Sequence, residues 1–168
     1  MGDKVHHFEV RTRWTGNTGA GTTSYRGYGR GHDVEADGRP VLRASAAAAF
    51  RGDPERWNPE DLLLAALSEC HMLSYLALSV AAGVDVVAYT DTATASLVTR
   101  ADASGEFTEA VLRPVVTVAA PDMADAARDL HARAHRACFI ARSVNFPVRH
   151  EAVVRVADGD TGAGPQGA

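Results

Sequence analysis

The sequence predicts an α+β fold, and three observations carry that reading. Apolar residues recur at period two near the start, in the middle and at the end of the chain. One long apolar stretch, residues 59–82, has helix signals at both ends, and a second helical period lies over residues 121–143. The order is strands, long helix, two strands, helix, strand, which differs from the strict alternation of a doubly wound parallel sheet.

Phe8, Val10, Thr12 and Trp14 alternate with Glu9, Arg11 and Arg13, the pattern of a half-buried strand. Residues 16–21 form a glycine-rich turn. Residues 22–34 and 39–45 read as a second and third strand, and residues 52–57 as a polar turn. Asn58 is a good N-cap, Pro59 fits the first helical position, and Glu60 and Asp61 suit the positive end of the helix dipole. Gly83 suits the stop, so a central buried helix is expected over 59–82. Tyr89, Ala93, Ala95 and Leu97 share one strand face. Ala110, Leu112, Pro114, Val116 and Val118 share another, so the two runs read as a hairpin across the turn at 101–105. Pro114 suits an edge or a bulge. Pro121 and Asp122 open a second helix whose inner face is Met123, Ala127, Leu130, Ala134 and Ala137, ending near Ser143. Val148, His150, Ala152, Val154 and Val156 close the pattern as a strand. A single domain over 1–157 and a disordered Gly-rich tail over 158–168 are expected.

The chain has 168 residues, 46% hydrophobic and 23% charged, with a net charge of −4. These values are ordinary for a globular protein, and the acidic balance argues against a general nucleic-acid binder. The N-terminus lacks a signal-peptide core, and His6 breaks the myristoylation pattern. Residues 62–82 are apolar enough to suggest a membrane span, but Glu69, His71 and several serines make that placement costly. A cytoplasmic protein is expected, in which thiols stay reduced and any disulfide is transient.

Cys70 and Cys138 are the two cysteines, each late in an expected helix. Buried cysteines are often inert small hydrophobes. On a helical wheel Cys70 aligns with Leu63, Ala66, Leu67, Ser74 and Ala77, a face of several small residues. Cys138 falls at the edge of its apolar stripe, where partial access is expected. Glu60 complements the helix dipole. Ten residues of straight helix put it about 15 Å from Cys70, so a joint site needs a bend or a second subunit. A homodimer is therefore expected. A competing reading is a metal site: His131, His135 and Cys138 share one helical face, with Cys70 or His71 as a fourth ligand. The plain alternative makes His131 and His135 a solvated helix edge and His71 a polar break in a buried helix.

Asn58-Pro59-Glu60-x-Leu62-Leu63 followed by Cys70, with His135-x-x-Cys138 on a late helix, resembles the signature of the OsmC/Ohr family. The resemblance runs from about Phe8 to Val156. It implies an intertwined homodimer in which antiparallel-rich sheets wrap long central helices, with two sites at the subunit interface. It implies a thiol-dependent peroxidase acting on organic hydroperoxides and, less efficiently, on hydrogen peroxide. Cys70 would attack the peroxide, Cys138 would resolve the sulfenic acid as a disulfide, and Glu60 would hold an activating arginine. No bound cofactor is implied; an external dithiol, such as a lipoyl group, would close the cycle. Two positions depart from the family pattern. Phe139 stands where proline usually follows the second cysteine. The glycine-rich turn carries no arginine, which leaves Arg30, then Arg26, then Arg51 as candidates. A second implied possibility is a non-enzymatic binder of small ligands on the same fold.

Overall fold

The computed structural model describes residue 2 and residues 4–157. The expected disordered tail, 158–168, lies outside the described residues. The chain divides into two compact units, Met1–Leu63 and Leu64–Ala168, and the boundary falls inside the long helix.

In the first unit, β1 (Arg11–Trp14), β2 (His32–Glu35) and β3 (Leu42–Ala44) form an antiparallel sheet in the order β1-β2-β3. The expected strands over 8–14, 22–34 and 39–45 are thus shorter than their patterns. The greatest loss is in 22–34, whose serine- and glycine-rich start folds back on residues 16–18. There Gly29 N–H donates to the Gly16 carbonyl at 2.8 Å, and Thr18 Oγ1 donates to the Gly27 carbonyl at 3.1 Å. After β3 the chain turns through residues 45–57 and returns beside itself, with Ser45 N–H donating to the Trp57 carbonyl at 2.8 Å.

Helix α1 (Pro59–Ala82) has the expected bounds. Asn58 caps it as predicted: its Oδ1 accepts from Asp61 N–H at 2.8 Å, and its amide donates to the Asp61 carboxylate at 2.6 Å. Gly83, at φ +69°, stops it in a left-handed turn that glycine takes without strain.

The second unit differs from the expectation in one systematic way. Each of its long strands is broken, and the halves lie in different sheets. Sheet β4-β7-β9 holds β4 (Val86–Asp91), β7 (Pro114–Val118) and β9 (Val153–Val156). Sheet β5-β6-β8 holds β5 (Thr94–Thr99), β6 (Gly105–Leu112) and β8 (Val148–His150). In both, the first pair is antiparallel and the second parallel. The predicted hairpin exists, but it is creased at Asp91–Thr94 and Leu112–Pro114. Pro114 has no N–H to continue the ladder. Its register partner Asp91 instead accepts the Arg113 N–H at 2.6 Å and the Ser68 hydroxyl at 2.5 Å. The Arg113 guanidinium reaches across the crease to Thr94 Oγ1 at 2.8 Å and Glu151 at 2.9 Å.

Helix α2 (Ala124–Ala137) follows a 3-10 turn at Pro121–Met123 and stops earlier than expected. Cys138 takes extended backbone at its end, and a second 3-10 turn spans Ala141–Ser143. The core has two clusters, one on each side of the crease. Tyr75, Val116, Val118, Ala127, Leu130 and Ala134 join α1 and α2 to the first sheet. Leu67, Ala110 and Leu112, with Ile140, Phe146 and Val148 against them, join α1 to the second.

Within its unit α1 is not the fully buried helix expected. Only the stripe Leu67, His71, Tyr75, Ser79 is buried, while Leu73 and Val80 are 62% and 82% exposed. The opposite face is therefore apolar and uncovered in a single chain.

Candidate functional site

Cys70 and Cys138 meet in the second unit. Both thiols are free, and Cys70 is the side chain that, after burial, bears most on the Cys138 thiol. α1 presents Cys70 on the flank of its buried stripe, half-buried. The expected partial access of Cys138 does not hold: it is 1% exposed. The reason is the early end of α2. With φ at −69° Cys138 keeps its helical side-chain direction, but ψ at 112° turns the chain that follows, so Ile140 and Ala141 fold back over the sulfur while Phe139 is left 80% exposed. Ala141 N–H donates to the Cys138 sulfur at 3.4 Å. Burial, followed by the hydrogen bond with Cys70, pushes the Cys138 thiol up to about 11, against the smaller pull of the Ala141 amide. Cys138 is thus a protonated, shielded thiol at neutral pH, beside a more accessible one.

The sequence reading missed what lies beside this pair. His71, His131, His135 and His150 form a cluster of neighbouring rings, the first two buried and the last two half-buried. His71 and His131 are 0% and 1% exposed, which overturns the solvated-edge reading of His131. Their rings are nearly parallel, at 6°, and His71 Nε2 lies 3.1 Å from His131 Nδ1. His150 lies 5.5 Å from the His71 ring and 5.7 Å from that of His135, and Tyr75 stacks on His131 at 4.2 Å. Burial, then the neighbouring histidines, pulls His71 and His131 down to about 4 and lowers His150 as well. The signal was present in the sequence: 131 and 135 are four apart on one helix face, and 71 lies on the 67-71-75-79 stripe. Among the described residues, no group of three or more His, Cys, Asp or Glu side chains is placed to hold a metal ion, so His131, His135 and Cys138 do not converge as ligands.

The arginine candidates lie in the first unit. Arg30 is tied to its own loop. It donates to the carbonyls of Tyr28 and Tyr25, and its guanidinium lies 4.0 and 4.6 Å from their ring centres. Arg26 is exposed. Arg51 is exposed as well and takes left-handed backbone at φ +67°. Arg30 and Arg51 line one recess of about 410 Å³ together with Arg56; Arg26 does not. A larger recess of about 510 Å³, lined by residues 9–11, 35–39 and 41, contains none of the candidates. Glu60 Oε2 is buried without a hydrogen-bond partner, and among the described residues Glu60 makes no ion pair.

Residues 52–152 match the family model of the OsmC-like proteins. This chain is a member of that family. Among solved structures, it is similar to an OsmC-like protein of unknown function from Vibrio cholerae, at 30% identity and a TM-score of 0.78, covering 89% of this chain and 100% of the other. Two organic hydroperoxide resistance proteins share the fold. One is from Elizabethkingia anophelis, at 16% identity and a TM-score of 0.66, covering 92% and 99% of the two chains. The other is from Legionella pneumophila, at 18% identity and a TM-score of 0.67, covering 92% and 100%. No curated protein sequence matches. The α+β reading and the OsmC/Ohr resemblance both hold, and the mixed helix-and-sheet architecture is that of the OsmC-like fold.

Proposed function

We propose that this OsmC-like protein is a cysteine-based peroxidase that reduces organic hydroperoxides to alcohols. The observation that carries the reading is the thiol pair: distant in sequence, adjacent in space, one sulfur accessible and one sealed. The Cys70 thiolate attacks the distal peroxide oxygen. The O–O bond breaks, the alkoxide takes a proton and leaves as alcohol, and Cys70 becomes a sulfenic acid. The Cys138 sulfur then attacks the Cys70 sulfur. Its proton leaves with the hydroxide as water, and an S–S bond forms. Held protonated until then, Cys138 does not compete for peroxide, and proximity drives its attack. An external dithiol such as a lipoyl group reduces the disulfide, and no bound cofactor is needed. Hydrogen peroxide is a poorer substrate, and the cytoplasm, with its reduced thiols, is the working compartment.

The working form is a homodimer. The uncovered apolar face of α1 supports this, and so does the buried, unpartnered Glu60 oxygen, which a guanidinium from a partner subunit can satisfy. Arg30 is the preferred donor, ahead of Arg26 and Arg51. The tether of Arg30 to its own loop favours the second reading, a small-ligand binder with inert cysteines. Turnover of cumene hydroperoxide with a dithiol reductant separates the two. The peroxidase reading expects activity in the wild type and background rates in Cys70→Ser; equal, slow rates in both favour the binder.

A further inference from the structure

The first unit contains a second candidate site, which needs neither thiol. The recess of about 410 Å³ between residues 15–16, 29–31 and 45–56 is lined by Arg30, Arg51 and Arg56 against a single acid, Asp53. Both Asp53 oxygens are already engaged. Oδ1 accepts the Glu55 N–H at 3.0 Å, and Oδ2 pairs with Arg56 Nε at 3.1 Å. Asp53 is itself fixed, because its N–H donates at 3.0 Å to the hydroxyl of Ser45, which is 1% exposed. Asp53 therefore aims Arg56 and leaves the two terminal guanidinium nitrogens unspent. Arg51 is exposed, with no ion pair or side-chain hydrogen bond among the described residues.

Bare backbone forms the walls. A Cβ on Gly16 would lie 1.9 Å from the Gly29 carbonyl oxygen, and one on Gly52 would lie 1.5 Å from that of Ala46, so neither position admits a side chain. At Gly31 the missing Cβ leaves a gap 3.3 Å from both an Arg56 terminal nitrogen and the Thr15 hydroxyl. That gap is a cradle with a charged donor on one side and a hydroxyl donor on the other.

We propose that this recess binds the oxyanion of a small molecule, a carboxylate or a phosphate, through Arg56 and Arg51 with Thr15 Oγ1 beside them. A pre-aimed guanidinium suits the two oxygens of such a group, and the excess positive charge disfavours a cation. The volume admits an organic body behind the anionic head.

The test is isothermal titration of the full chain, wild type and Cys70→Ser alike, with inorganic phosphate and separately with hexanoate at constant ionic strength. Trp14 fluorescence, read in a Trp57→Phe background, serves as a second readout, since its indole N–H donates to the Gly29 carbonyl in the recess wall at 2.8 Å. At least one probe is expected to bind saturably, and whether phosphate or hexanoate does so identifies the head group. Arg56→Gln is expected to weaken binding about tenfold, the loss typical of one charged hydrogen bond. Gly31→Ala, which fills the cradle but leaves every charge in place, is expected to weaken it as well. Absence of saturable binding by both probes overturns the proposal, and so does binding that Arg56→Gln and Gly31→Ala leave unchanged. Because no peroxide is present and Cys70→Ser is included, failure here is distinct from failure of the peroxidase reading.

Discussion

Cys138 shows how one backbone angle sets a residue's chemistry. With ψ at 112° the chain leaves the helix and folds residues 140 and 141 back over the sulfur, and the sealed thiol beside Cys70 is pushed up to about 11. The histidines beside it carry a pH prediction. His71 and His131 are neutral when folded and protonate only near 4, whereas unfolded histidine protonates near 6.5. Between these values the unfolded chain binds more protons, so stability rises with pH. The contribution is whole above pH 6.5 and is lost as the pH falls toward 4, on the order of 3 kcal/mol for one such histidine. Urea midpoints at about pH 7.5 and about pH 5 should show the loss, and His131→Gln should flatten the difference. A wild-type midpoint that does not move with pH contradicts this account.

At the scale of elements, the crease organises the second unit. It divides three long strands into two sheets and gives α1 two surfaces to pack on. Asp91 stands where Pro114 interrupts the ladder, accepting from Ser68 and from the Arg113 amide. Asp91→Ala removes both bonds and should cost about 2 kcal/mol in equilibrium unfolding; a loss near zero would mean that the crease does not depend on it. Much of this level was legible in the sequence. Asn58, Pro59 and Gly83 fixed both ends of α1, because caps act locally. Period two located the middle and final strands, because alternation needs only one buried face. The crease was not legible as a break between sheets, since the interruption depends on partners brought from far along the chain. Pro114 and Asp91, a charge on the face of Tyr89 and Ala93, were the local signs of it. The sealing of Cys138 by residues 140 and 141 escaped for a similar reason: the helical pattern runs on past Ala137, and Phe139 gives no proline stop.

At the scale of the whole molecule, α1 is too apolar for a helix with one face left in water. Leu73 and Val80 stand on its open side. Apolar faces of this kind mark association surfaces. Sedimentation is therefore expected to give a dimer for the wild type and monomer for Leu73→Glu; a wild type that sediments as a monomer at micromolar concentration contradicts the dimer.

The central claim is that Cys70 and Cys138 form one redox unit, and peroxide titration of the reduced protein addresses it directly. After one equivalent of tert-butyl hydroperoxide, without reductant, intact mass and peptide mapping should show the loss of two hydrogens and a Cys70–Cys138 cross-link, reversed by a dithiol. Two thiols that still alkylate fully, or a Cys70 oxidised beyond sulfenic acid with Cys138 untouched, would contradict the account.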